Sequence, residues 1–319
     1  MFKTKHLLLI LLGINGFLMQ GQHTDMINSN RPGLSQSAFS VGKNVFQLES
    51  GVYGITQEHD ISKYKINGMG LDLSLRYGFF LEQLELILDA QYQMDKYSAP
   101  AFEEKRSGIK NLVFGAKYLI YDPWKNYEEK PNLYSWKANH RFKWRQLIPA
   151  VSAYVGANFS VGDTYFPPDE PSFSPKAMII AQHHLGTSWV LVSNIYMNKI
   201  STEYQSLGYV ITLTRGFNDK WSGFIENQGI KSDYYSDGIF RIGAAYLIQN
   251  NWQIDASIGA SYKDTPSLLY GGVGTSWRFD KNYKPVKIES GKEDGKTKQQ
   301  KKKDKKKEKE RKRLDEVEG

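Results

Sequence analysis

The stretch LDLSLRYGF, Leu71 to Phe79, places Leu71, Leu73, Leu75, Tyr77 and Phe79 on one side of an extended chain. Asp72, Ser74, Arg76 and Gly78 fall on the other. That is period two, the pattern of a strand with one apolar and one polar face. LELILDAQY repeats it, with Leu84, Leu86, Leu88, Ala90 and Tyr92 opposite Glu85, Asp89 and Gln91. FRIGAAY and WQIDASIGASY do so again, leaving Arg241 and Asp255 on the polar faces, and GGVGTSWRF, Gly271 to Phe279, ends the series on an aromatic residue.

A soluble β-sandwich also alternates. Two features favour a bilayer. The segments approach the 9–11 residues that a tilted strand needs to cross one, and Trp189, Phe217, Trp221, Trp252, Trp277 and Phe279 gather at segment ends, where interfacial girdles lie. Twelve strands follow from Val45, at 45–55, 69–80, 83–93, 109–121, 146–160, 177–186, 189–199, 207–217, 220–230, 238–248, 252–262 and 268–279. Connections after the second, sixth, eighth and tenth are tight, as at Asn218-Asp219 and Asn250-Asn251. Those after odd-numbered strands are mostly longer and more polar, among them GDTYFPPDEPSFSP. The long connection from Asp122 to Arg145 breaks this rule, and is expected to hold a short helix, a flap or two further strands.

The expected fold is all-β, a transmembrane antiparallel up-and-down β-barrel of about 12 strands. Closure pairs every backbone group inside lipid, which an open sheet cannot do. With an even strand number both termini are expected in the periplasm. Glu49, Asp72, Arg76, Glu85, Asp89, Lys117, Glu226, Arg241 and Asp255 then point into the lumen, either lining a permeation path or cross-pairing to fill a narrow interior.

The ends of the chain locate it. Lys3 and Lys5 precede the apolar run Leu7 to Leu12, a secretory signal peptide over residues 1–21, so the mature chain is expected to begin near Gln22. No cysteine is present, which removes disulfides, a lipidated Cys and thiolate metal sites. No later run offers about 18 uninterrupted apolar residues for a transmembrane helix. Of the whole-chain charge surplus of eight, sixteen Lys or Arg against nine Asp or Glu from Lys281 onward supply seven. The basic character thus sits in a tail, residues 280–319, too poor in apolar residues to bury a core and expected to be disordered. An anionic lipid surface or an acidic periplasmic partner would suit this tail, as would a purely solubilising role. Nucleic acid is not expected of an exported chain.

A resemblance rests on Asn30 to Gly54, NRPGLSQSAFSVGKNVFQLESGVYG, followed by YLIQNNWQIDASIGASY and GGVGTSWRF. These resemble the outer-membrane transporter family of the MetA pathway of phenol degradation, whose mature chains open on Asp-Arg-Pro-Gly or Asp-Arg-Pro-Asp. Asn30, Arg31, Pro32 and Gly33 match except at the first residue, where the change removes a carboxylate that could pair with Arg31. The resemblance implies a barrel passing small molecules, aromatic or hydrophobic ones among them, across the outer membrane, with outer-membrane lipid and a small solute as partners and no cofactor. Residues 22–42 read either as a periplasmic lead-in or as a small plug, ahead of a barrel over 43–279. Two other classes stay open: a structural barrel anchoring a partner through its tail, and a lipase. The lipase would need a Ser–His pair, and His183-His184 is the only paired histidine. Neither G-x-S-x-G nor H-E-x-x-H occurs, so no catalytic residue is assigned and no enzyme is expected.

Overall fold

The computed structural model describes residues 26–125, 144–167, 169–186 and 188–280. The signal-peptide reading of residues 1–21, the tail beyond 280 and most of the Asp122–Arg145 connection fall outside them. The described chain forms a closed antiparallel barrel of twelve strands, each paired to its neighbours in sequence. They are β1 (Phe46–His59), β2 (Tyr64–Gly78), β3 (Leu84–Ala99), β4 (Phe102–Tyr121), β5 (Ala150–Phe159), β6 (Phe173–Leu185), β7 (Trp189–Asn198), β8 (Ser206–Gly216), β9 (Trp221–Ser232), β10 (Ser236–Gln249), β11 (Trp252–Ser261) and β12 (Ser267–Phe279). The seam is a full ladder from Phe46 opposite Phe279 to Glu58 opposite Ser267, so no edge is left open.

Period two decides which side each residue meets. On β12, Val273, Trp277 and Phe279 stand outside while Ser276 and Arg278 are buried inside. Outward-facing Val52, Leu71, Ile179, Ile195, Ile225, Ile242 and Ile258 make an apolar belt of the kind that meets acyl chains. At the rim where Phe46 meets Phe279, aromatic rings collect: Trp277 stacks on Phe279 at 4.7 Å and on Trp252 at 6.3 Å, and Trp221 packs on Tyr246 at 4.8 Å. This terminal rim carries the tight turns; at one, Asn218 Oδ1 accepts hydrogen bonds from the N–H groups of Lys220 and Trp221.

The opposite rim departs from the expected pattern of long connections. Polar residues read as loops after the first and third strands are paired strand, leaving only residues 60–63 and 100–101 as turns. Alternation persists through them, and cross-strand partners hold the hairpins together. Glu58 pairs with Lys65, Glu103 with Lys96 at 2.7 Å, and Tyr97 stacks between Tyr64 at 5.4 Å and Phe102 at 5.6 Å. β1 to β4, at 14 to 20 residues, are therefore longer than a bilayer crossing requires. The connection after β5, residues 160–172, is long as expected, and Tyr165 anchors it with its hydroxyl 2.9 Å from Asp95 Oδ2.

If the outward belt faces lipid, Val273→Arg should cost about 2–4 kcal/mol of folding stability in vesicles. Urea titration of tryptophan fluorescence measures this, and an unchanged midpoint would contradict the assigned face.

Candidate functional site

The interior begins as a row of alternating charges on four adjacent strands. Arg76 on β2 donates from Nη1 to Glu49 Oε1 of β1 at 3.0 Å and pairs through Nε with Glu85 of β3. Lys117 of β4 lies 2.9 Å from Glu85 Oε2. All four side chains are essentially inaccessible to solvent. Across the barrel, Arg241 of β10 pairs with Glu226 directly opposite it on β9, and Thr212 Oγ1 of β8 donates to Glu226 Oε2 at 2.6 Å. Asp72 accepts from Gln91 Nε2 at 2.8 Å and Asp89 from Ser74 Oγ at 2.6 Å, each without an ion pair among the described residues. The nine residues singled out by alternation thus divide. Glu49, Arg76, Glu85 and Lys117 form one group, Glu226 and Arg241 a second, and Asp255 serves a partner outside the sheet.

That partner belongs to the stretch before β1. Residues 26–45 form no strand, so their backbone groups must find partners elsewhere. The inner wall supplies them. The carbonyl of Met26 accepts from Arg278 Nη1 at 3.0 Å, and that of Asn28 from Arg76 Nη1 at 2.7 Å. The N–H groups of Asn30 and Arg31 donate to the Glu49 carboxylate, each at 3.3 Å, and those of Leu34 and Ser35 to Glu226 Oε2 at 2.9 and 3.3 Å. Gln36 exchanges two bonds with the Asn194 amide, at 2.6 and 3.0 Å. Gln182 Oε1 takes the Ala38 N–H at 2.9 Å, Ser152 Oγ donates to the Ala38 carbonyl at 2.5 Å, and Lys117 Nζ donates to the carbonyls of Ser37 and Phe39. The segment is therefore bonded to strands on all sides of the interior.

The Asn-Arg-Pro-Gly motif has a defined place in this arrangement. Arg31 reaches Asp255 of β11 with Nη2–Oδ1 at 3.2 Å and Nε–Oδ2 at 3.4 Å, a two-pronged contact across 224 positions of sequence. Its guanidinium lies in a groove that exists because positions 51 and 274 are glycine; a Cβ at either would overlap it. Gly33 is required for a similar reason, since a Cβ there would stand 2.6 Å from Glu226 Oε2, where the carboxylate receives the Leu34 N–H. With asparagine at position 30, Arg31 takes its carboxylate from Asp255, and Asn30 Oδ1 accepts the Ser37 N–H at 3.0 Å.

Between this segment and the β6–β10 wall lies a cavity of about 1090 Å³. It extends from Asp122, Trp124, Gln146 and Gly186 at the terminal rim to Arg31–Gly33 within the barrel. Phe39, Val190, Val192, Phe224 and Ala245 give it an apolar wall, interrupted by Gln182, His184, Thr212, Thr214 and Ser222. Apolar side chains share the interior with the buried charged ones. Ile87, Val113, Met178, Ile180 and Val192 form one buried cluster with Ala38. Ser152, Gln182, Asn194 and Thr212, which grip the segment, were not singled out from sequence, although each is a polar residue at an inward position of its strand. His184 lines the cavity, its ring 3.1 Å from Gln182 Nε2 and edge-on to Phe39 at 5.7 Å; the partner the lipase reading required of it, a serine, is not among these contacts.

Residues 29–279, which span most of the segment and the whole barrel, match the family described as "Putative MetA-pathway of phenol degradation". The chain belongs to that family. Among solved structures, the COG4313 outer membrane channel from Pseudomonas putida F1 is similar with a TM-score of 0.52 at 13% identity, over 79% of this chain and 100% of that one. This likeness supports the outer-membrane barrel fold. The translocator domain of autotransporter NalP from Neisseria meningitidis scores 0.45 at 14% identity, over 75% of this chain and 89% of that one. The KdgM porin with disordered oligogalacturonate scores 0.44 at 9% identity, over 72% and 99%. No curated protein matches the sequence.

Arg31→Ala or Asp255→Asn removes one charge-assisted contact of the segment. Amide hydrogen exchange over residues 30–38 should accelerate roughly tenfold to a hundredfold while β9 and β10 stay protected. Unchanged exchange over 30–38 would show that this ion pair does not hold the segment.

Proposed function

We propose that this protein is an outer-membrane channel for small apolar or aromatic molecules, with its paired strand termini toward the periplasm, and that residues 26–45 are the element closing it. The cavity carries this reading. It is large enough for a single-ring solute, mostly apolar along the β6–β10 wall, reaches residues of the terminal rim, and ends against a segment that is not part of the barrel ladder. A channel needs an interior that can be vacated. Here the closing element is held by hydrogen bonds and ion pairs that water can replace and by the apolar packing of Ala38 and Phe39, and its departure leaves the ladder of strand pairings intact. Family membership supports an aromatic solute class, and the apolar wall suits it.

The test uses the absence of cysteine from the chain. Ser29 Oγ and Ser276 Oγ lie 2.7 Å apart, so Ser29→Cys with Ser276→Cys can form a disulfide between segment and barrel. In planar bilayers the reduced protein should show discrete current steps that a small aromatic solute interrupts. Oxidation should hold it at its lowest conductance and reductant should restore the steps. Equal currents in both states would contradict closure by this segment.

A further inference from the structure

One polar group on the cavity wall has the position of its proton set by the closing segment. His184 is inward-facing on β6, and its Nε2 lies 3.1 Å from Gln182 Nε2. Two nitrogens in that contact need one proton between them, and the network around Gln182 decides which carries it. The Phe39 N–H and Asn28 Nδ2 both donate to Ser37 Oγ, so the Ser37 hydroxyl proton goes to Gln182 Oε1 at 3.0 Å. The Ala38 N–H, a backbone donor that cannot reverse its role, meets the same oxygen at 2.9 Å. Gln182 therefore presents its amide NH2 to the imidazole, His184 Nε2 accepts, and the neutral ring carries its proton on Nδ1.

Nδ1 of His184 has no partner among the described residues. Unlike Nδ1 of the neighbouring His183 it is not sealed from solvent, and the side chain lines the cavity. A fixed N–H donor thus borders a mostly apolar space, the combination that orients a ligand in a pocket. Cross-strand register sets what stands beside it. His184 lies opposite Val190 of β7, Val190 opposite Thr214 of β8, and Thr214 opposite Phe224 of β9. All four line the cavity. With neighbouring strands about 4.8 Å apart, His184 and Thr214 are separated by about 10 Å of wall, and Val190 stands between them. A single ring with one substituent spans that width. Phe39, edge-on to the imidazole at 5.7 Å, borders the place on the segment side.

We infer that His184 is the residue by which the channel distinguishes among single-ring solutes: its Nδ1–H donates to an acceptor oxygen carried on the ring, the carbonyl of an aromatic ketone or aldehyde, while the ring lies over Val190. This rests on the channel reading and narrows its solute class from apolar and aromatic molecules in general to those bearing such an oxygen. A hydrocarbon ring makes the same apolar contact but strips water from the N–H without replacing it, and binds more weakly for that reason.

Acetophenone and α-methylstyrene differ by C=O against C=CH2 and little in shape. Their binding to the full barrel in detergent, followed by ligand-observed NMR, tests the inference, with folding of each variant verified by heat-modifiable gel mobility. The preference for acetophenone should be about fivefold greater in wild type than in His184→Phe, the scale of one hydrogen bond between neutral groups. Comparing the two proteins cancels uptake of the solutes by the micelle. In the nitrogen NMR spectrum of histidine-labelled protein, with His184→Phe identifying the signals, the His184 proton should sit on Nδ1, and that resonance should shift with acetophenone and not with α-methylstyrene. Equal preferences in the two proteins, or a proton on Nε2, would overturn the inference. A preference that depends on His184 in a barrel silent in bilayers would overturn the channel reading and uphold the subsite.

Discussion

The ion pairs of Arg76, Lys117 and Arg241 inside the barrel leave hydrogen-bonding capacity over, and the backbone of residues 26–39 takes it up. Glu226 is paired with Arg241 yet still receives two N–H groups, Lys117 is paired with Glu85 yet still donates to two carbonyls, and Arg76 binds two carboxylates and the Asn28 carbonyl. The dependence is mutual. A buried ion pair repays its desolvation only when its remaining lone pairs and protons are also satisfied, and a strandless segment can lie inside a barrel only if its backbone is bonded. Charged wall and irregular segment each supply what the other lacks.

The same condition divides the interior. On the β1–β4 side, polar backbone meets ionised side chains. Elsewhere the segment turns Ala38 and Phe39 against Ile87 of β3, Val113 of β4, Met178 and Ile180 of β6 and Val192 of β7, where burial of apolar surface is favourable without partners. The cavity lies where this apolar wall passes beyond the segment's reach, with Val190, Val192 and Phe224 lining it. Apolar lining and polar closure thus arise from one chain path.

Much of the barrel was legible because lipid imposes a strict period. Alternation in LDLSLRYGF and WQIDASIGASY was enough to place Arg76 and Asp255 inside and Leu71 and Ile258 outside. What could not be read is who meets whom across the lumen. Arg31 and Asp255 are 224 residues apart, and nothing local to either marks the other. The glycine groove at positions 51 and 274 is equally silent, since in a strand pattern these glycines look like weak spots instead of space kept for a guanidinium. Uncharged Gln182, Asn194 and Ser152 escaped notice because polarity at an inward position suggests only a wet lumen; their role appears once a backbone lies against them.

The most direct measurement of whether that backbone closes the barrel is the single-channel conductance of the protein beside a variant lacking residues 26–41, both verified as folded. Occlusion by the segment predicts markedly larger steps from the shortened chain, because the seats at Glu49, Glu226 and Lys117 fill with water. Equal conductance in the two proteins would mean that the passage, if there is one, does not run where the segment lies, and would contradict the account.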